Sequence, residues 1–423
     1  MNFYKTILLC SLMLPTAAMA GDKLTGTPIG TSAGFNYENW SVEYDVQYRA
    51  FDGDLNTYFA TDARSYTWVG LDLGTPHVID RVGWSPRNDG LGPKRVQLSV
   101  IQGANSPDFM DALPIYIITE PGIIGSMSYG DVDCSKGFRY VRFVSTGDSR
   151  CNIAELEFYG NAGDGDDSHL FQVTNLPTVV VNTLNAEEPY DKEHDITANI
   201  IIIAGNKADT DKPGTIRERG NASRSFPKKP WRLKFDKKQS VLGSPATAKK
   251  WTLINNYGDK TLMRNLLAFE IARRLEMPFV AWARPVDVIL NGEYKGCYQL
   301  CDQMEVNPGH VDITEMETTD TEGEALGGGY FIEVDAYAYD EPEGEFFISQ
   351  YGISVTIKSP DDGGTPEQHN YIRNYFNRME DLVFRYCFGR DGGEDYRDIF
   401  DVESFIKHFI VGELSGNTDT YWS

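Results

Sequence analysis

Short segments of strand character, separated by turn residues, fill the first third of the chain. Trp68–Leu73, Arg95–Gln102, Ile115–Thr119, Phe138–Val144 and Ala154–Tyr159 each read as a strand. Pro, Gly, Asn and Asp stand between them, and no helical period intervenes. Regular short strands of this kind predict an all-β sandwich, with a mixed α+β domain as the alternative. Asn161–His169 then reads NAGDGDDSH, with no large apolar residue, which is linker composition.

Beyond that segment the texture changes. Val179–Asn182, Ile196–Ile203, Trp231–Phe235, Arg284–Leu290 and Gly296–Cys301 predict strands. Thr261–Leu275 predicts a helix with Leu262, Leu266, Phe269 and Leu275 on one face and Thr261 as its cap. Val402–Leu414 predicts another, with Phe405, Ile406, Phe409, Ile410 and Leu414 sharing a face. The expected division is a leader at 1–20, a β-sandwich at 21–160, a linker at 161–169 and an α+β domain at 170–423.

The leader follows from the order of its parts. Lys5 precedes the apolar run Ile7–Leu14, and Ala18-Met19-Ala20 gives the small-x-small pattern of signal-peptide cleavage, so the mature chain would start at Gly21. The run is too short to span a bilayer, and no later stretch approaches the roughly 20 apolar residues a membrane helix needs. Cys10 follows Leu9, where a lipoprotein site takes a small residue, so no lipid anchor is expected. These features predict an exported protein, whether secreted, periplasmic or cell-surface, without a transmembrane segment in the mature chain.

Composition narrows the partners. The net charge of −23 becomes −24 once Lys5 is removed, which argues against nucleic acid and suits cation binding. Of six cysteines, Cys134 and Cys151 could pair in an oxidising compartment. Cys297 and Cys301 should not. Four positions apart on a strand, they are separated by about 13 Å, against a disulfide limit of about 7 Å. No CxxC or HExxH is present.

AFDGDLNT (Ala50–Thr57) reads as a tight turn in which Gly53 relaxes the backbone and Asp52, Asp54 and Thr57 supply oxygens. Such oxygens suit Ca²⁺. An Asx-type turn beside a solvated Glu155 is the other reading. Together with WVGLDLG (Trp68–Gly74), GFRYVRFVS (Gly137–Ser145) and CNIAELEFYG (Cys151–Gly160), this segment resembles the discoidin, or coagulation factor 5/8 type C, family of galactose-binding-like jelly-roll sandwiches. In bacterial carbohydrate-binding members of that family a structural calcium sits at this turn. A Glu of the last strand contributes, and Glu155 takes that place here. The resemblance implies a glycan, cell-surface or coat ligand among loops at one end of the sandwich. Trp40, Tyr44, Tyr66 and Arg87 are the candidates, and each of the three aromatics could equally pack in or over the core.

In the second part, a strand bearing Lys234 precedes a helix bearing Glu270. Two strands follow, then Asp302-Gln303-Met304 as a connector, and later a helix leading into Gly416-Asn417-Thr418-Asp419. This is the element order of a protein kinase, although neither GxGxxG nor HRD occurs. In such an order a Lys neutralises nucleotide phosphate, a Glu holds the Lys, and an Asp positions the attacking hydroxyl. RGNASRSFPKKPWRLKF (Arg219–Phe235), WTLINNYGDKTLMRNLLAFEIAR (Trp251–Arg273), NGEYKGCYQLCDQ (Asn291–Gln303), GGGYFIEVD (Gly327–Asp335) and GELSGNTDTYW (Gly412–Trp422) resemble the CotH, or spore-coat-type, kinases.

That resemblance implies an atypical protein kinase transferring phosphate from ATP, with Mg²⁺ or Mn²⁺, to an extracytoplasmic protein phosphoacceptor. Asp419 matches its catalytic-loop Asp, Lys234 its phosphate-binding Lys and Glu270 the partner of that Lys. Asp302 stands where the family carries Glu. The family's Asn beyond the catalytic Asp, and its metal-binding WDxD-type segment, would fall after Ser423. The expectation is therefore a kinase-like domain lacking its C-terminal part. The alternative is a non-catalytic surface glycan-binding or structural protein with a kinase-like fold. Lys234 as a solvated strand residue, Glu270 paired with Arg273 or Arg274, and Asp419 as a turn cap are the plain structural readings of the same residues.

Overall fold

Some strands, such as Trp231–Phe235, are buried at alternate positions and others, such as Val100–Ala104 and Thr178–Thr183, at every position. The computed structural model describes residues 21–389 and 393–418. The predicted leader and Asp419 lie outside the described residues. The chain divides into two compact units, Met1–Phe171 and Gln172–Ser423.

The first unit contains β1 (Asp22–Lys23), β2 (Thr27–Gly30), β3 (Ala33–Asn36), β4 (Ser41–Tyr44), β5 (Trp68–Pro86), β6 (Val100–Ala104), β7 (Leu113–Ile117), β8 (Ser128–Asp131), β9 (Gly137–Val144) and β10 (Ile153–Ala162). The main sheet runs β1-β10-β5-β9-β6-β7, with β2 and β8 also on β5 and β3–β4 as a hairpin. β5 is long, at 19 residues, and changes partners along its length. Trp68–Asp72 pairs with β9 and β2, whereas Arg81–Trp84 pairs with β10 and β8. The β5–β9 register shifts between Asp72 and His77, around Gly74 at φ +78°, a conformation that favours glycine. A strand that switches partners in this way joins two layers at a corner. Phe59, Phe138, Phe143, Phe158, Ile79, Ile101, Ile115 and Ile153 fill the space between.

Three expectations shift here. A short helix, α1 (Gly92–Val96), takes Arg95 and Val96 out of the predicted strand, with Pro93 in its first turn. Cys134 and Cys151 are free. They flank opposite ends of β9, whose eight residues span about 23 Å, far beyond disulfide reach. Segment 161–169 does not hang loose. Asn161 and Ala162 extend β10 against Val78 and His77. Gly163 N donates to Pro76 O (3.0 Å), Gly137 N to Asp164 O (2.6 Å) and Asp166 N to Ser135 O (3.0 Å), so the segment is pinned to the sandwich.

The second unit is built on β11 (Thr178–Thr183), β12 (Ile196–Ala204), β13 (Lys207–Glu218), β14 (Trp231–Gln239), β15 (Ala248–Ile254), β16 (Ala283–Leu290) and β17 (Glu293–Asp302). They close into a barrel, β11-β12-β13-β14-β15-β17-β16, sealed by the parallel pair β11–β16. Val179, Val181, Ile200, Ile202, Leu233, Phe235, Trp251, Leu253 and Leu300 pack its interior. Trp231 stacks on Tyr298 there at 5.0 Å. Cys297 and Cys301 are free on β17, as expected of one strand. Closure into a barrel had no signal in the element order, because β13 and β15 went unread.

Outside the barrel lie β18 (Phe331–Val334), β19 (Phe346–Ile348) and β20 (Ser354–Ser359) as a small sheet, with helices α2 (Arg264–Arg274), α3 (Gly323–Leu326), α4 (Pro366–Cys387) and α5 (Val402–Ser415). The second unit is thus α+β. Thr261 does not cap α2. Instead the Asp259 carboxylate accepts from the backbone N–H of Arg264, Thr261 and Met263 and from the Thr261 hydroxyl, and these donors pull its pKa down to about 2. No helix among the described residues is long and apolar enough to cross a membrane.

Candidate functional site

Strand ends at one pole of the sandwich bring together residues that lie far apart in sequence. Arg87 follows β5, Tyr37 follows β3, Tyr58 precedes the Phe59–Ile153 bridge, and Arg150 and Asn152 precede β10. The Arg87 guanidinium lies over the Tyr58 ring at 3.7 Å and near the Tyr37 ring at 5.5 Å. It donates to Asn152 Oδ1 at 3.1 Å and pairs with Asp89 at 3.4 Å. Arg150 donates to Tyr37 Oη at 2.8 Å and to Asp62 Oδ1 at 3.3 Å. Trp40 stands beside Phe35 and Tyr37, both at 6.2 Å, and is 76% exposed. The result is a preformed surface of aromatic faces and fixed guanidinium donors.

Of the four predicted residues, Arg87 and Trp40 belong to this cluster. Tyr44 is exposed on the β3–β4 hairpin, and Tyr66 is half-buried with a left-handed backbone. Tyr37, Tyr58, Arg150 and Asn152 went unread. Their only local signal is a polar or aromatic residue just outside a strand.

The Asp52–Thr57 turn is built on side-chain acceptance. Thr57 Oγ1 lies 2.9 and 3.0 Å from the two Asp52 carboxylate oxygens, 3.0 Å from Asp54 O and 3.4 Å from Arg49 O. One hydroxyl proton cannot satisfy four acceptors. Glu155 reaches the same turn, with Oε2 accepting from Gly53 N at 3.0 Å. Its Oε1 is buried without a partner, and burial pushes its pKa up to about 7. A hard cation would relieve both the surplus of oxygens and the buried carboxylate, so the donor set fits Ca²⁺. Asp54 turns only its carbonyl toward Thr57 Oγ1. Its carboxylate turns outward to accept from Asn56 N and Nδ2, at 3.0 and 2.9 Å. Among the described residues no three acidic, His or Cys side chains converge on one point, so hydroxyl and carbonyl oxygens would have to complete a set begun by the Asp52 and Glu155 carboxylates.

In the second unit, the structure separates the predicted pair. On β14, Trp231, Leu233 and Phe235 point into the barrel, which leaves Lys234 half-buried on its outer face between Thr215 and Lys250. Glu270 lies on α2, where its oxygens accept from Arg273 (2.5 Å) and Arg274 (2.8 Å), its neighbours on the same helix. Arg274 and Arg273 hold its pKa below the usual carboxylate range. Glu270 therefore does not hold Lys234. The connector residue Asp302 ends β17 buried, with Oδ2 3.3 Å from Nδ1 of the equally buried His310. Burial pushes Asp302 up to about 7 and His310 down. α5 ends in the left-handed Gly416, as a chain about to turn requires.

A family model described as CotH kinase protein matches residues 216–423. The front of the chain is similar to CBM62 from Clostridium thermocellum Xyl5A, with 41% identity over 34% of this chain and 99% of that one, and a TM-score of 0.30. It is also similar to CBM32 of AlyQ, solved in complex with 4,5-unsaturated mannuronic acid (17% identity, 33% and 98% covered, TM-score 0.26). A Streptococcus pneumoniae fucose binding module is a third (18% identity, 33% and 93% covered, TM-score 0.25). No curated protein matches the chain. The chain thus carries a CotH kinase-family domain over residues 216–423, behind a front unit similar to carbohydrate-binding modules.

Proposed function

We propose that the chain is an exported protein kinase of the CotH type, held to a glycan by its front unit, which transfers phosphate from ATP to an extracytoplasmic protein. The observation that carries this reading is the union, in one chain, of a CotH domain with a unit 41% identical to a carbohydrate-binding module. The pole around Arg87 supports the glycan half. Pyranose rings stack on aromatic faces such as Trp40, and fixed guanidinium donors meet sugar hydroxyls. Asp52, Thr57, Glu155 and the carbonyls of Arg49 and Asp54 would hold a Ca²⁺ that braces this unit.

In the second unit, Lys234 would meet nucleotide phosphate as a point charge, and Asp419 would orient the acceptor hydroxyl. A kinase-like arrangement of the barrel, α2 and α5 belongs to this proposal. A bound Mg²⁺ or Mn²⁺ would neutralise phosphate charge, but no described residue is assigned to it. Glu270 is left out, since its own helix engages it.

The test incubates the full chain with labelled ATP, Mg²⁺ or Mn²⁺ and extracellular protein extract, beside Asp419→Ala. Labelling that the substitution abolishes supports the reading. Equal labelling by both would remove Asp419 from catalysis. No labelling by either would favour a surface glycan-binding protein without transfer, the reading that Glu270's engagement supports. Retention on glycan columns, compared with Arg87→Ala, tests the front unit separately.

A further inference from the structure

Positive charge is unevenly placed in this acidic chain. Residues 212–274 hold 16 Lys and Arg against 4 Asp and Glu, although the whole chain has 39 and 62. The β14–β15 hairpin is the extreme case. Lys234, Lys237, Lys238, Lys249 and Lys250 share residues 234–250 with Asp236 as their single acid. None of these five lysines forms an ion pair among the described residues.

Register sharpens the point. Lys234 stands directly opposite Lys250, and both are half-buried on the outer face, because their neighbours Leu233, Phe235 and Trp251 fill the barrel. Like charges opposite one another oppose strand pairing, and partial burial strengthens the repulsion. The adjacent row shows the alternative. There Arg217 stands opposite Arg232, and Asp195 bridges them at 3.7 and 2.7 Å. One basic cross-strand pair is thus neutralised and the next is left bare. Glu305, half-buried after β17, feels Lys250 and Lys238 but reaches neither as an ion pair.

We propose that Lys234 and Lys250 form a two-lysine clamp for the polyphosphate of a nucleotide, with Lys250 a phosphate-binding residue in its own right. The proposal rests on the reading of the second unit as a nucleotide-dependent kinase. A phosphate between the two ammonium groups turns a repulsion into two charge-assisted hydrogen bonds. The clamp needs no carboxylate partner for Lys234, which accounts for Glu270 being engaged elsewhere.

The experiment titrates the full chain with MgATP and, separately, with inorganic tripolyphosphate by calorimetry at fixed salt. Lys234→Met, Lys250→Met and the exposed control Lys237→Met are compared. Lys234→Met and Lys250→Met are each expected to weaken both probes by about tenfold or more. Lys237→Met should leave them unchanged. The melting temperature of ligand-free Lys250→Met should equal or exceed that of the wild type, because a repulsion has gone. If it falls, Lys250→Arg decides: retained affinity supports the clamp and lost affinity overturns it. Wild-type MgATP binding with no loss in Lys250→Met overturns the clamp alone. Failure of the wild type to bind either probe overturns the clamp and the nucleotide reading together.

Discussion

Calcium at the Asp52–Thr57 turn should set the melting of the front unit, and Glu155 should make that dependence sensitive to pH. Burial holds the Glu155 acid up to about 7, against 4.5 for an ordinary Glu. The folded unit therefore keeps a proton that the unfolded chain releases, and stability falls as pH rises from about 4.5 to about 7. The gap of some 2.5 units corresponds to about 3 kcal/mol lost once the carboxylate is fully ionised without a cation. Calcium replaces the proton, so the loss should vanish when it is bound. At a free concentration of about one hundred times Kd, binding contributes about 2.7 kcal/mol. For a unit of about 150 residues, that is a rise of about 5–10 °C in its melting transition. Scanning calorimetry of the full chain with EDTA or with CaCl₂, near neutral pH and in mild acid, reads this directly. Glu155→Gln should raise ligand-free stability near neutral pH and flatten the calcium response. Identical melting in EDTA and calcium near neutral pH would refute the argument from the orphaned Glu155 oxygen and the over-subscribed Thr57 hydroxyl.

Four further outcomes are expected. Arg87→Ala removes the donor over Tyr58 and should weaken glycan retention by about tenfold or more on affinity electrophoresis. Trp251→Ala empties the middle of the barrel and should cost the second unit about 3–5 kcal/mol in urea melts. Asp302→Asn, which mimics the protonated acid, should be nearly neutral below about pH 6 in the same melts. Glu270→Ala should leave MgATP affinity unchanged by calorimetry, since it acts only on Arg273 and Arg274.

How much was legible depended on how local each signal was. Strands β9 and β10 and helix α5 were readable because their apolar periods are unbroken. β13 was not: its first half, Lys207–Pro213, is polar and mostly exposed, and it is a strand because β12 pairs with it. Helix α4 escaped notice although its start is written in the chain. Thr365 and Gln368 form a reciprocal capping box around Pro366. At the candidate sites, Asp52, Thr57 and Glu155 were found because the turn sequence and a family pattern point to them. Tyr58, Arg150 and Asn152 were not, because tertiary folding alone brings them to Arg87. The Lys234–Glu270 pairing failed for a nearer reason: two arginines three and four residues on meet Glu270 within its own helix.

The pinning of residues 161–169 fixes where the front unit can be cut. A recombinant module ending at Gly160 would lose the end of β10 and leave Pro76, Ser135 and Gly137 without their backbone partners. One ending at Phe171 keeps all three. The portable cassette, whether for grafting onto another enzyme or for exchange between genes, is therefore 21–171, and a protease should find little purchase in a stretch whose composition alone advertises a soft target.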